Sequence, residues 1–315
     1  MPWSIFTGSG EPNSPQAWRQ IPAPPPWRDR MVARTRFVKT PELLDAVNVA
    51  LHLRRPLLLT GAPGSGKSML ADVIAAELQL DPLLEWHVTS HSTLADALYS
   101  YDALGRLYAT QAAAGDGGDN VEDFVTLGSL GTALASRDRP RAVLIDEIDK
   151  SDLDLPGDLL HVLELGEFTI PPLLRAAGNN SDPDAPVLTH RVRGADGGFY
   201  DVVGGVVRRA HLPVIVLASN GERIFPPPFL RRCVRFEMPT PDEAFLEKIV
   251  EAYLGSVAEE QRALIQDFAA RRVAGKSLAI DQLLGLIYLV TGEAPPGTEA
   301  RSQVEQIMLE ELGSQ

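Results

Sequence analysis

Residues 61–69 read Gly61-Ala62-Pro63-Gly64-Ser65-Gly66-Lys67-Ser68-Met69, and residues 61–68 match G-x-x-x-x-G-K-[ST] at every fixed position. That is the pattern of a nucleotide phosphate-binding loop. Gly61, Gly64 and Gly66 let the backbone curl so that successive N–H groups point at phosphate oxygens. Lys67 can reach the β- and γ-phosphates, and the Ser68 hydroxyl can ligate Mg²⁺. A second constellation lies downstream, where Ala142-Val143-Leu144-Ile145 is followed by Asp146-Glu147. Asp146 would hold Mg²⁺ directly or through water, and Glu147 would polarise an attacking water. Phosphoryl transfer needs a phosphate cradle, a metal and a positioned water, and these two motifs can supply all three, with a nucleoside triphosphate and Mg²⁺ as the expected cofactors.

Such residues need a strand, a tight loop and a helix in that order. Pro56-Leu57-Leu58-Leu59-Thr60 is an apolar run of buried-strand type, and Leu70, Val73, Ile74 and Leu78 recur at helical spacing after the loop. The helix N-terminus adds partial positive charge where phosphates would sit. In open α/β sheets ligands bind at the carboxyl ends of the strands, which is where Asp146 and Glu147 fall.

The 315 residues suffice for a large core and one smaller domain, and 44% hydrophobic with 23% charged residues is ordinary for a soluble globular chain. No apolar run approaches the roughly 18 residues of a membrane span, and the N-terminus shows no signal-peptide pattern. Cys233 is the only cysteine, so an intrachain disulfide is impossible, which fits a cytoplasmic location. The net charge of −13 argues against a surface broadly built for nucleic acid and leaves room for one local basic element.

Along the chain, residues 1–36 read as an irregular arm: Gly8, Gly10, Pro12, Pro15, Pro22, Pro24, Pro25 and Pro26 oppose a regular helix, while Trp3, Phe6, Trp18 and Trp27 suggest packing, either on the chain itself or on a neighbour. Thr40-Pro41-Glu42 opens a helix whose apolar face is Leu43, Leu44, Val47, Ala50 and Leu51. A strand is expected at 85–89, a helix at 94–112, a loop at 115–119, a turn at 128–131 and a helix at 156–165. Val187, Thr189, Arg191 and Arg193 alternate into Gly194–Gly198, and Phe199–Val203 leads away, which predicts a β-hairpin within 185–210. Val214–Ala218 is another buried strand, ending in Ser219-Asn220. Thr240-Pro241-Asp242-Glu243 reads as a capping box with Pro in the first turn, and from there the pattern is helical, with faces at Ile280, Leu283, Leu284, Ile287, Tyr288 and at Val304, Ile307, Met308, Leu312. The shift to all-α near Pro239 marks a domain boundary, giving an α/β nucleotide-binding domain over 37–238 and an all-α lid over 239–315.

The order of phosphate loop, Asp-Glu strand, Asn-ended strand, Phe229-Leu230-Arg231-Arg232 and helical lid resembles the AAA+ ATPases, specifically their MoxR-like branch, over residues 37–290. The resemblance implies a P-loop core of parallel strands flanked by helices, with an element interrupting the second helix (about 88–130) and a hairpin before the Asn-bearing strand (about 185–210). Asn220 matches the first sensor, which orients the attacking water; the alternative is a strand-end Asn capping a turn. Arg231 and Arg232 match the arginine-finger region, Arg232 the first choice; the alternative is a pair of surface ion pairs. Glu222 and Arg223 lie close by in sequence. The family's second-sensor Arg is missing; either Lys276 substitutes for it, or the lid senses nucleotide weakly or through its packing alone. By resemblance the chain would form a ring, most simply a hexamer, and remodel a protein client with a von Willebrand factor A domain partner. Two other readings stay open: a slow nucleotide-switched module in a signalling or defence complex, and a nucleic-acid motor of the McrB type.

The remaining candidates are weaker. His87 and His91 lack a carboxylate or cysteine cluster at metal-ligand spacing and read as structural, and Cys233 reads as a buried apolar residue. Arg191, Arg193, Arg208 and Arg209 give the hairpin positive charge; it is either a solvated hairpin or a pore element gripping an acidic client or a nucleic-acid strand.

Overall fold

The continuous apolar runs form the central strands of the computed structural model, which describes residues 3, 5, 6, 8, 16–112, 120–176, 188–257, 259–276, 278–292 and 295–310. The loop expected at 115–119, the hairpin's first residues 185–187, Ser277, Leu312 and Gly10, Pro12 and Pro15 of the arm lie outside them. Eleven strands occur among the described residues: β1 (Leu57–Thr60), β2 (Leu84–His87), β3 (Tyr99–Tyr101), β4 (Val125–Leu127), β5 (Ala142–Asp146), β6 (Glu167–Thr169), β7 (Thr189–Arg193), β8 (Phe199–Val203), β9 (Val206–Arg208), β10 (Val214–Ser219) and β11 (Val234–Glu237). The chain divides into two compact units, one of residues 41–60 and 70–237, the other of residues 1–40, 61–69 and 238–315.

In the first unit, five strands form a parallel sheet in the order β11-β1-β10-β5-β2. Leu57, Leu58, Leu59, Val143, Leu144, Ile145, Val216 and Leu217 are at most 2% exposed, as expected of parallel strands covered on both faces. Register brings the strand ends together: Thr60 lies opposite Ser219, Leu217 opposite Ile145, and His87 opposite Asp146. A second sheet runs β3-β4-β7-β8-β9-β6. Its β7–β8 pair is the hairpin that the alternation predicts, with His190 and Val192 buried and Arg191 and Arg193 exposed.

Several expectations fail for identifiable reasons. The helix expected over 94–112 is two helices, Leu94–Leu98 and Ala103–Ala112, because Tyr99–Tyr101 pairs antiparallel with β4; sheet pairing overrides local pattern. Gly128–Gly131 is not a turn: Gly128 is the N-cap of a buried helix, Ser129–Ala135. A Cβ on Gly131 would lie 1.8 Å from the Leu98 carbonyl oxygen, so this glycine serves close packing. Arg208 and Arg209 are not hairpin residues: Arg208 lies in β9, which pairs with β6, and its Nε meets Glu167 Oε2 at 3.0 Å. Arg209 donates to the carbonyls of Leu163 and Glu164. Leu44 and Leu78 are each 43% exposed, outside the apolar faces that include them.

In the second unit, helices Glu243–Leu254, Glu259–Val273, Ile280–Thr291 and Thr298–Met308 enclose Leu246, Val250, Ile265, Phe268, Leu283 and Ile287. The capping box at Thr240 does not form. Asp242 caps instead, accepting from Phe245 N at 2.8 Å, so Pro241 precedes the helix. Ile307 faces out, 68% exposed. Part of the arm packs on these helices: the Trp27 ring stands edge-on to Tyr253 and Tyr288, with centroids 6.5 and 5.6 Å away. Arg36 Nη1 donates to the Tyr253 carbonyl at 2.7 Å. An α-helix unforeseen in the arm, Arg30–Thr35, is capped by Asp29, which accepts from Met31 N and Val32 N. Among the described residues no helix is long and apolar enough to cross a membrane.

Candidate functional site

The loop following β1 is shaped by its glycines. Gly64 and Gly66 have φ of +70° and +90°, a region costly for residues with a Cβ. A Cβ on Gly64 would lie 2.7 Å from that of Ala279, and one on Gly66 3.2 Å from the Phe37 ring. The loop opens the helix Lys67–Glu77, in the order the motif requires. Lys67 is 6% exposed, and its ammonium donates to the carbonyls of Gly61 at 2.7 Å and Ala62 at 3.0 Å. Ser65 Oγ is buried with no hydrogen-bond partner among the described residues. A buried hydroxyl left unsatisfied costs free energy unless a ligand completes it. The loop therefore fits an anionic phosphate chain: a backbone curled by positive-φ glycines, a buried cation and an orphan hydroxyl. Ala62, Pro63 and Ser68 are exposed, and Met69 is half-buried in the first helical turn.

Asp146 ends β5, and Glu147 follows it in a left-handed conformation, φ 58° and ψ 37°. Non-glycine residues held there are uncommon and gather at functional sites. Glu147 N donates to Asp146 Oδ1 at 3.0 Å, and Glu147 Oε1 meets Lys150 Nζ at 2.8 Å. The hydrogen bond that the Lys150 ammonium donates to Glu147 raises its pKa above the ordinary lysine value. His87 Nδ1 lies 3.9 Å from Asp146 Oδ2, with the imidazole largely exposed. Asn220 follows β10 at once. Its backbone N–H donates to Asp149 Oδ2 at 3.0 Å, and that of Glu222 to the same oxygen at 3.1 Å. Arg223 donates to the Ser151 carbonyl. The structure thus brings the segment after Glu147 and the segment after Asn220 together through Asp149, a residue that the sequence reading passed over although it stands in the run Asp146-Glu147-Ile148-Asp149.

Arg231 and Arg232 follow the short helix Pro227–Leu230. Arg232 Nε pairs with Glu164 Oε1 at 2.6 Å, both side chains about half exposed. The Arg231 guanidinium is exposed and has no partner among the described residues. Arg54, Arg55, Arg209 and Arg232 line a cavity of about 290 Å³ at the opposite, amino ends of β1 and β10. Arg54 and Arg209 are engaged there by backbone carbonyls. Lys276 is exposed, whereas Ala279, at the N-cap of the Ile280–Thr291 helix, is the residue beside Gly64.

The hairpin's turn is anchored. Arg141, just before β5, donates to Asp196 Oδ2 at 2.7 Å, Tyr200 OH at 2.8 Å and the Pro82 carbonyl at 3.2 Å. Ala195 N donates to Thr132 Oγ1 at 2.9 Å. Burial opposes the Asp196 charge, but hydrogen bonds from Arg141, Tyr200 and Gly198 hold its carboxyl below the ordinary 3.8. These contacts tie the turn to the sheet, while Arg191 and Arg193 lie on the exposed face, 5.2 and 5.6 Å from the Phe199 ring centroid. Cys233 is 7% exposed, and burial pushes its thiol up to about 12.

Residues 56–204 match the family model described as the AAA domain, dynein-related subfamily. This stretch carries the AAA+ P-loop fold. No curated protein matches the chain. Among solved structures, a RuvB mutant from Thermotoga maritima is 16% identical, covering 84% of this chain and 68% of that one, with a TM-score of 0.42. NtrX from Brucella abortus, in complex with ADP, is 14% identical, covering 90% of this chain and 56% of that one, with a TM-score of 0.41. Identities this low say nothing about function.

Proposed function

We propose that the chain is a Mg²⁺-dependent ATPase of the AAA+ type. The observation that carries the reading is the loop at 61–68, with its positive-φ glycines, the orphan Ser65 hydroxyl and the buried Lys67 ammonium. Backbone N–H groups of the loop hold the phosphate chain, and Lys67 offsets its charge. The Ser68 hydroxyl and the Asp146 carboxylate would hold Mg²⁺, which supplies charge neutralisation at the phosphate oxygens. Glu147 accepts the proton of the attacking water, and Asn220 orients that water. The strained backbone at Glu147 supports its assignment as the base.

Ring assembly belongs to the same proposal. A solvent-facing arginine at 231 or 232, following a short helix, suits a finger that reaches a neighbouring subunit's nucleotide. The finer reading, a MoxR-like remodeler of a partner protein, is supported by the hairpin that precedes the Asn-bearing strand. The anchored turn of that hairpin counts against its use as a moving pore element. Titration of a fluorescent ATP analogue against the wild type and Lys67→Ala tests the nucleotide site: wild-type binding with loss in the variant is expected, and equal binding overturns it.

A further inference from the structure

Asp149 is 3% exposed and lies in the short 3-10 turn Ile148–Lys150 that follows Glu147. A carboxylate so buried needs strong partners, and its partners are two backbone amides from a distant segment. Oδ2 accepts from Asn220 N at 3.0 Å and from Glu222 N at 3.1 Å, while Gly221 N donates to Ser219 Oγ at 3.0 Å. Each amide from 220 to 222 is thereby engaged, two of them by one oxygen. Gly221 takes φ +80° between them, so the turn closes back onto Asp149. Hydrogen bonds to an ionised acceptor are roughly twice as strong as neutral ones.

We propose that Asp149 is a positioning residue for hydrolysis: it fixes the Asn220 backbone relative to the segment that carries Glu147. This rests on the reading above, in which Asn220 orients the water that Glu147 deprotonates. Asp149 itself touches neither water nor phosphate in this account. Misplacing a catalytic group by an ångström can cost about 100-fold in rate. The amide oxygen of an asparagine could accept both N–H groups, and its NH₂ would replace Oδ1, which has no partner among the described residues.

The test is single-turnover ATP hydrolysis with ATP-analogue affinity and thermal unfolding measured in parallel. Asp149→Ala is expected to lower the hydrolysis rate about 10–100-fold with affinity nearly unchanged, and Asp149→Asn to restore most of it. In an Asn220→Ala background, Asp149→Ala should add almost nothing, since a residue acting through Asn220 has nothing left to position. If Asp149→Ala does not fold, Asp149→Ser takes its place, because its hydroxyl is too short to reach both amides. Wild-type rates in the folded variant, or losses that multiply in the Asn220→Ala background, overturn the proposal. A wild-type chain that binds no ATP analogue overturns the nucleotide reading instead, and this proposal falls with it.

Discussion

Replacing Arg141 by Met should destabilise the α/β unit by about 3 kcal/mol. The guanidinium is 5% exposed and its Asp196 partner 12%, so solvent screens the pair little. Breaking a buried pair by removing one member costs about 3–5 kcal/mol. The lower end applies because Asp196 keeps the Tyr200 hydroxyl at 2.7 Å and the Gly198 amide at 3.0 Å. The pH dependence has a definite sign. The Asp196 carboxyl is depressed below 3.8, so its stabilisation is complete above that value and is lost as pH falls through the lower folded value. Asp196→Asn should therefore flatten the acid limb of the stability profile. Urea unfolding followed through Trp86 fluorescence reports on this unit alone, since Trp86 packs on its core; Trp3→Phe, Trp18→Phe and Trp27→Phe silence the other tryptophans. An Arg141→Met chain within about 1 kcal/mol of the parent would show that the pair does not hold this unit together.

Gly64→Ala should weaken ATP-analogue binding by about tenfold or more, because the new Cβ meets Ala279 at 2.7 Å in a left-handed backbone; circular dichroism should be unchanged. Native Cys233, with its thiol pushed up to about 12, should react with a thiol reagent at pH 8 far more slowly than the unfolded chain. Arg232→Ala should keep ATP binding and lose about 10³-fold or more in turnover. Mixing it with Lys67→Ala chains should recover part of that activity, read as ATPase rate across mixing ratios; failure at every ratio would contradict action in trans.

The parts of the fold fixed by local pattern were legible. Ala142–Ile145 and Val214–Ala218 are short apolar runs rich in β-branched residues, the pattern of buried strands, and the 61–68 loop names its own backbone geometry. What the sequence hid depends on partners distant in the chain. Tyr99–Tyr101 is a strand only because Val125–Leu127 lies beside it. Gly131 looks like a turn residue until Leu98 is seen pressed against it. Arg208 and Arg209 follow the hairpin in sequence, yet one pairs with Glu167 and the other with helix-end carbonyls. At the candidate site, Asp146, Glu147 and Asn220 announce themselves at strand ends. Asp149 does not, because its partners are backbone amides that no spacing rule predicts.

In the proposed function, Glu147 drives hydrolysis of a nucleotide bound at the Lys67 loop. The most direct test is ATP hydrolysis by Glu147→Gln with bound nucleotide quantified in the same sample. The amide keeps the shape of the carboxylate but cannot take the water's proton. ATP should be bound at wild-type level and turnover lower by about 100-fold or more. Wild-type turnover in Glu147→Gln would contradict it.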